Sequence, residues 1–285
     1  IRLWPFLIFS AVLTSLIYPV VGAWQWGGGW LSEKGFSDFA GSSIVHSVGG
    51  WAALVGALIV GPRYGRFDSH GRPVLMHASS LPLATLGTFI LWLGWFGFNG
   101  GSQLALGTVD DAIAISTIVI NTNSAAAAGT LTAMLLTQLL YKKVDLTMAL
   151  NGALAGLVSI TAEPLTPTLG SAALIGAVGA VIVVIVVPLL NKLKIDDVVG
   201  AIPVHLCCGI WGTLAVPITN LEKSFSTQLL GVVSIAAFVI ITSAAVWYLL
   251  KLSGKLTLSP EEQLQGGDLV ELGMEAYPEF VTRAR

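Results

Sequence analysis

The chain has 285 residues, of which 54% are hydrophobic and only 11% charged. Its mean hydropathy is too positive for a soluble domain of this length, so it reads as an integral membrane protein. A formal net charge of −2, spread over short connecting segments, leaves no footprint for nucleic acid or an acidic macromolecular substrate.

Apolar runs of roughly 20 residues cross a bilayer as helices, because backbone groups in lipid must satisfy one another within the segment. Eight such spans follow in chain order, at 3–24, 39–61, 82–101, 112–141, 148–163, 170–190, 198–218 and 228–251. The fifth is short and ends near Glu163 and Pro164; the fourth is long enough to begin outside the hydrocarbon. The first run spans and lacks a small-residue cleavage pattern, so no cleavable signal sequence is expected there. The architecture is all-α and polytopic, with a membrane domain over 1–251 and a polar tail over 252–285.

Orientation follows from Lys and Arg. With the first span leaving the cytoplasm, the inner side receives Arg2, Arg63, Arg66, Arg72, Lys142, Lys143, Lys192, Lys194, Lys251, Lys255, Arg283 and Arg285, and the outer side only Lys34 and Lys223. This sorting supports eight spans, since one more or fewer would scramble it, and it puts the C-terminal tail in the cytoplasm of a multi-pass cell-membrane protein.

Two stretches repeat one another. "DFAGSSIVH" runs from Asp38 to His46 and "DVVGAIPVH" from Asp197 to His205, each with Gly at the fourth place and Val at the eighth. The first copy runs inward and the second outward, and inverted repeats of this kind set a transport site near the midplane. Eight helical residues rise about 12 Å, against about 15 Å for half the hydrocarbon, so both histidines are expected near mid-bilayer. Each Asp sits where a helix N-cap is wanted; Asp38 also adds negative potential on the outer side, where cations would enter.

A lone intramembrane His can simply bond a neighbouring carbonyl. Two related by a repeat point instead to a relay or cavity, where imidazoles share a proton and hydrogen-bond a small polar molecule. Two His alone do not make a metal site, and no metal or cofactor is expected. The adjacent Cys207 and Cys208 read as small apolar fillers rather than a disulfide or metal pair.

Aromatic residues form the second constellation. "QWGGGWL" carries Trp26 and Trp30, and "WLGWFGFNGGS" carries Trp92, Trp95, Phe96 and Phe98 ahead of Ser102. They serve either as interfacial belts or, helped by the adjacent glycines, as walls around a small cation. The runs "NTNSAAAAGTLTA" and "NGALAGLVSITA" read as close helix packing, with Asn121, Asn123 and Asn151 free to satisfy broken backbone.

"DFAGSSIVHSVGG", "GWFGFNGGS", "NTNSAAAAG", "NGALAGLVSITA" and "DDVVGAIPVHLCCGIWG", in this order, resemble the ammonium transporter family, which includes methylammonium permeases and is related to Rhesus proteins. The resemblance implies an eleven-helix inverted-repeat fold and a homotrimer with one pore per subunit. It implies that His46 and His205 are the twin pore histidines, that Phe98 is a gate ring with Trp95 beside it in the pore, and that Trp26, Ser102 and Asp38 belong to the outer recruitment site. Three helices of the pattern are missing before the first span, which implies a chain longer at its N-terminus. The tail segment "GGDLVELGMEAYPEF" resembles the family's cytoplasmic tail, which meets PII-type signal proteins, although Leu272 stands where a His is common. "ITAEP" departs from the family's small residues at Glu163.

The expected activity is ammonium transport: ammonium is recruited at the aromatic site and deprotonated, and ammonia passes the Phe gate and the twin histidines. The alternatives are a membrane ammonium sensor or a non-conducting fragment. An enzyme is not expected, because no nucleophile–base pair or HExxH site is present.

Overall fold

The computed structural model describes residues 1–277. Pro278 to Phe280 of the tail motif, and Arg283 and Arg285 of the charge count, lie outside the described residues. Among those described, the chain is helical and forms no β-strand; a single bridge joins Phe67 to Pro73 in a connecting loop.

In chain order the main helices are α1 (Leu3–Glu33), α2 (Ser42–Val60), α3 (Leu81–Gly101), α4 (Val109–Tyr141), α5 (Leu146–Ile160), α6 (Leu169–Lys192), α7 (Ile202–Thr219) and α8 (Phe225–Leu252). All but α5 are long and apolar enough to cross a bilayer. The predicted fifth span is therefore the exception in length. At 15 residues α5 reaches only about 22 Å, and most of its surface is covered by other helices. Two short tail helices follow, α9 (Pro260–Gln265) and α10 (Gly267–Leu272).

The small-residue runs set the packing of α4, α5 and α6. A Cβ on Gly156 or Gly176 would fall onto the carbonyl oxygen of Ala125, and one on Gly129 onto that of Gly152. Only glycine lets these backbones touch, which is the contact that substitutes for apolar side-chain burial between helices in lipid. Two of the three asparagines satisfy loop backbone as their type suggests: Asn121 Nδ2 donates to the carbonyls of Pro164 and Pro167, and Asn151 Nδ2 to that of Val199. Asn123 is exposed.

A second layer holds α1, α2 and α8. Phe9 stacks on Trp247 with centroids 3.8 Å apart and planes within 13°. The Trp247 ring lies over Gly56, where a Cβ would meet its Nε1 at 3.0 Å. α2 and α7 cross the middle of the molecule antiparallel. Ser42 meets Gly209 and Gly212, Gly50 meets Leu206, and Arg63 beyond α2 meets Asp196 ahead of α7. This crossing brings the two repeated stretches together.

Candidate functional site

Both repeats begin with the same local chemistry. Asp38 Oδ1 accepts from the N–H groups of Gly41 and Ser42, and Oδ2 from those of Ser43 and Ile44, at 2.8–3.1 Å. Asp197 accepts from Val199, Gly200, Ala201 and Ile202 at 2.7–3.3 Å. A helix start leaves four orphan N–H groups, and in each copy one carboxylate takes four. The chain turns into each helix through a left-handed glycine, Gly41 (φ 113°) or Gly200 (φ 85°). Five residues after each glycine comes the histidine, on a stretch wound as a π-helix, Ser42–Ser47 and Ile202–Cys207. The wider winding at functional positions is a feature that periodicity in the sequence did not reveal.

His46 and His205 meet. Their Nδ1 atoms are 3.2 Å apart, with ring centroids at 5.2 Å and planes within 19°. At this separation one Nδ1 carries the proton and the other accepts it, so in the neutral pair the outward Nε2 atoms differ, one an acceptor and the other a donor. His46 Nε2 is buried and makes no hydrogen bond within the protein. The two rings border a cavity of about 220 Å³ whose other walls are Val45, Gly49, Gly50, Ala53 and Ala201. Among the residues that line this cavity, the two imidazoles are the only polar side chains.

The aromatic residues of α3 close the other side of His46. Trp95 lies parallel to it, with centroids at 4.9 Å and planes within 14°. Phe98 is tilted against both rings, 5.5 Å from His46 and 5.7 Å from Trp95. Phe98 is 39% and Trp26 43% exposed. Trp26 Nε1 donates to the Asp38 carbonyl at 2.9 Å, and its ring edge sits over Gly41. Ser102 Oγ donates to the Phe98 carbonyl at 2.8 Å. The hydrogen bonds of Trp26 and Ser102 therefore run to backbone rather than to each other. Asp38 itself is fully buried, and its contribution outside the loop is its charge.

Several polar residues support this centre without having stood out in the sequence. Gln228 of α8 brackets the peptide of Ser37, accepting from its N–H and donating to its carbonyl, and also donates to Thr213. Ser43 and Thr213 join α2 to α7 through hydroxyls 2.6 Å apart. Each is a polar residue within a predicted span, a signal that intramembrane cost makes meaningful but that gives no partner. The buried Glu163 accepts from Asn220 Nδ2 at 3.0 Å.

On the far side of the histidines, the Asp196 side chain is 3% exposed and receives Arg63 at 2.7 Å and Arg66 at 3.1 Å. Burial alone would raise the Asp196 carboxyl, but the hydrogen bonds and charge of Arg63, with the charge of Arg66 beside it, outweigh that and hold it below its usual range. The tail reaches the same side. Arg2 pairs with Glu262 and Glu271, and Gln263 Oε1 accepts from the Tyr64 N–H. Leu272 is exposed.

The family model described as Ammonium Transporter Family matches residues 1–277. A Synechocystis protein, sll1017, is 45% identical over 272 residues, covering 94% of this chain and 61% of that protein. Ammonium transporter Amt2 of Archaeoglobus fulgidus is 40% identical over 306 residues, covering 97% of this chain and 64% of its own length. Among solved structures, a Sensor Amt Protein superposes with a TM-score of 0.87 at 36% identity, over 92% of this chain and 68% of that one. The chain thus spans about three fifths of the length of these two curated relatives.

Proposed function

The chain belongs to the ammonium transporter family and is a multi-pass membrane protein, and from that premise we propose that it forms the conducting part of an ammonium transporter. The observation that carries this reading is the His46–His205 pair, whose Nδ1 atoms stand at hydrogen-bonding distance, 3.2 Å, while the rings border an otherwise apolar cavity.

Ammonium is captured on the outer side, where the Trp26 face attracts a cation, Ser102 offers a hydroxyl oxygen, and the buried Asp38 charge favours positive ions. As the cation loses water against Phe98 and Trp95 it becomes a stronger acid, as a buried lysine does, and it gives up its proton. Neutral ammonia then passes Phe98 and moves along the two imidazoles, which offer a donor and an acceptor where the walls offer neither. Potassium has no proton to release and would enter this apolar passage as a bare ion, which is the basis of selectivity.

In this reading the membrane domain is 1–251 and the tail, 252–285, is cytoplasmic. The family resemblance supports the rest of the assignment: the cell membrane, three further helices ahead of α1, a homotrimer, and a PII-type protein at the tail. The test is flux. The full-length protein in liposomes should admit ammonia on an ammonium pulse, seen as internal alkalinisation, and should ignore potassium. Equal passage of both ions, or of neither, would refute it.

The likeness to a Sensor Amt Protein favours one second reading, an ammonium sensor. Saturable ammonium binding without flux in the same liposomes would select it.

A further inference from the structure

We infer that Thr161 is a positioning residue for the pore: its hydroxyl fixes the Trp95 ring, and through that ring it holds His46 in register with His205. The inference rests on the twin-histidine reading above and adds to it residues that lie outside the pore.

Trp95 Nε1–H is buried and donates to Thr161 Oγ1 at 2.9 Å. An indole has one polar atom and it is only a donor, so in a dry interior the ring's rotation is decided by where its acceptor stands. Thr161 is itself held. Its single hydroxyl proton is shared between two acceptors, the Leu157 carbonyl at 2.7 Å and Asn99 Oδ1 at 3.2 Å. Asn99 Nδ2 in turn donates to Thr122 Oγ1 at 2.9 Å. Thr161, Asn99 and Thr122 are all buried, so this chain of bonds ties α3, α4 and the C-terminal end of α5 together without water. Buried polar chains of this kind fix one geometry because each member has few other partners.

The chain ends on the pore. The ring that Thr161 orients lies flat on His46 at 4.9 Å and 14°. The same imidazole carries the Nδ1 that meets His205 at 3.2 Å. His46 Nε2 makes no hydrogen bond within the protein, so the imidazole is oriented by its hydrogen bond to the His205 nitrogen and by two ring contacts, Trp95 lying flat on it and Phe98 tilted against it. Releasing Trp95 removes one of them. Thr161 touches neither His46 nor the outer capture residues through any hydrogen bond or ring contact, so its loss should alter passage and leave capture unchanged.

The experiment uses the full-length protein. Thr161→Val keeps the shape of the side chain and removes the acceptor. Maximal ammonium uptake should fall roughly ten- to a hundredfold, the size of a small misplacement at a working centre, with the half-saturating concentration unchanged. Thr161→Ser, which retains the hydroxyl, should restore uptake. A structure of the Val variant should show the Trp95 ring turned from His46. Thr122→Val, two bonds further away, should give a smaller loss in the same direction, and it replaces the Val variant if that one fails to reach the membrane.

A Trp95 ring still stacked on His46 in Thr161→Val overturns the inference, whatever uptake does. So does undiminished uptake in Thr161→Val when His46→Ala abolishes it. Undiminished uptake in both variants means instead that the twin-histidine reading has failed.

Discussion

Asp38 and Asp197 stand in the same relation to the backbone that follows them: each carboxylate accepts from four N–H groups, and eight residues later each delivers one member of the histidine pair. The repeat in the sequence is thus a repeat of local chemistry, and the antiparallel crossing of α2 and α7 converts it into a face-to-face site. The two copies differ in depth, since Asp38 is fully buried whereas Asp197 is partly exposed. Asp38→Ala should therefore cost more than about 3 kcal/mol, because it strands several buried N–H groups, and should yield little folded protein. Asp197→Ala should cost about 1–2 kcal/mol, as a lost cap does. Thermal unfolding in detergent distinguishes them.

Close approach of α4, α5 and α6 rests on positions where a methyl group has no room. Gly176→Ala should lower stability by about 1–3 kcal/mol through overpacking, since its Cβ would fall onto the Ala125 backbone. Gly170→Ala, where a Cβ meets nothing within 4 Å, should change stability by no more than about 0.5 kcal/mol. The same unfolding assay reads both.

Trp26→Leu removes the ring face and the Nε1 donor that holds it to the Asp38 carbonyl. Uptake should fall several-fold at low ammonium and little at saturating ammonium, because capture rather than passage is impaired. Equal losses at both concentrations would remove Trp26 from the recruitment site.

The Arg63–Asp196–Arg66 cluster sets a pH expectation. The Asp196 carboxyl lies below its ordinary 3.8 in the folded chain, so its stabilising effect is complete above that value and is lost only as pH falls through the lower, folded one. Between pH 5 and 8 the loop at 61–80 should hold equally well. Its amide hydrogen exchange should quicken only in strong acid, or at neutral pH in Asp196→Asn, by about tenfold or more, the equivalent of one charge-assisted bond at about 1.5 kcal/mol.

Much of this was legible in the sequence because membrane helices and buried polar groups leave strong marks. Apolar run lengths placed the spans, and the Asp–Gly–His spacing identified the two residues that meet. Asp38 and Asp197 cap the N–H groups of their helices as expected, although each stands three residues before the left-handed glycine that leads into the helix rather than directly next to its first turn. The fifth span is short, as expected, but α5 ends at Ile160 rather than near Glu163, because at Thr161 and Ala162 the backbone has already left the helix and its carbonyls accept from Ala40 and Phe39. The partners of Thr161, Asn99 and Gln228 were not legible. A polar residue in an apolar run announces a need for hydrogen bonds, but which helix supplies them depends on packing angles that no local pattern encodes. The π-wound stretches at both histidines were hidden for the same reason, since their sequences read equally well as ordinary helix.

The most direct test exchanges the imidazoles. His46→Ala and His205→Ala in the full-length protein, assayed side by side for ammonium and potassium flux in liposomes, should each abolish ammonia passage or destroy its discrimination from potassium, with protein of normal stability. Unchanged flux and unchanged selectivity in both variants would contradict the claim that the paired histidines carry the substrate.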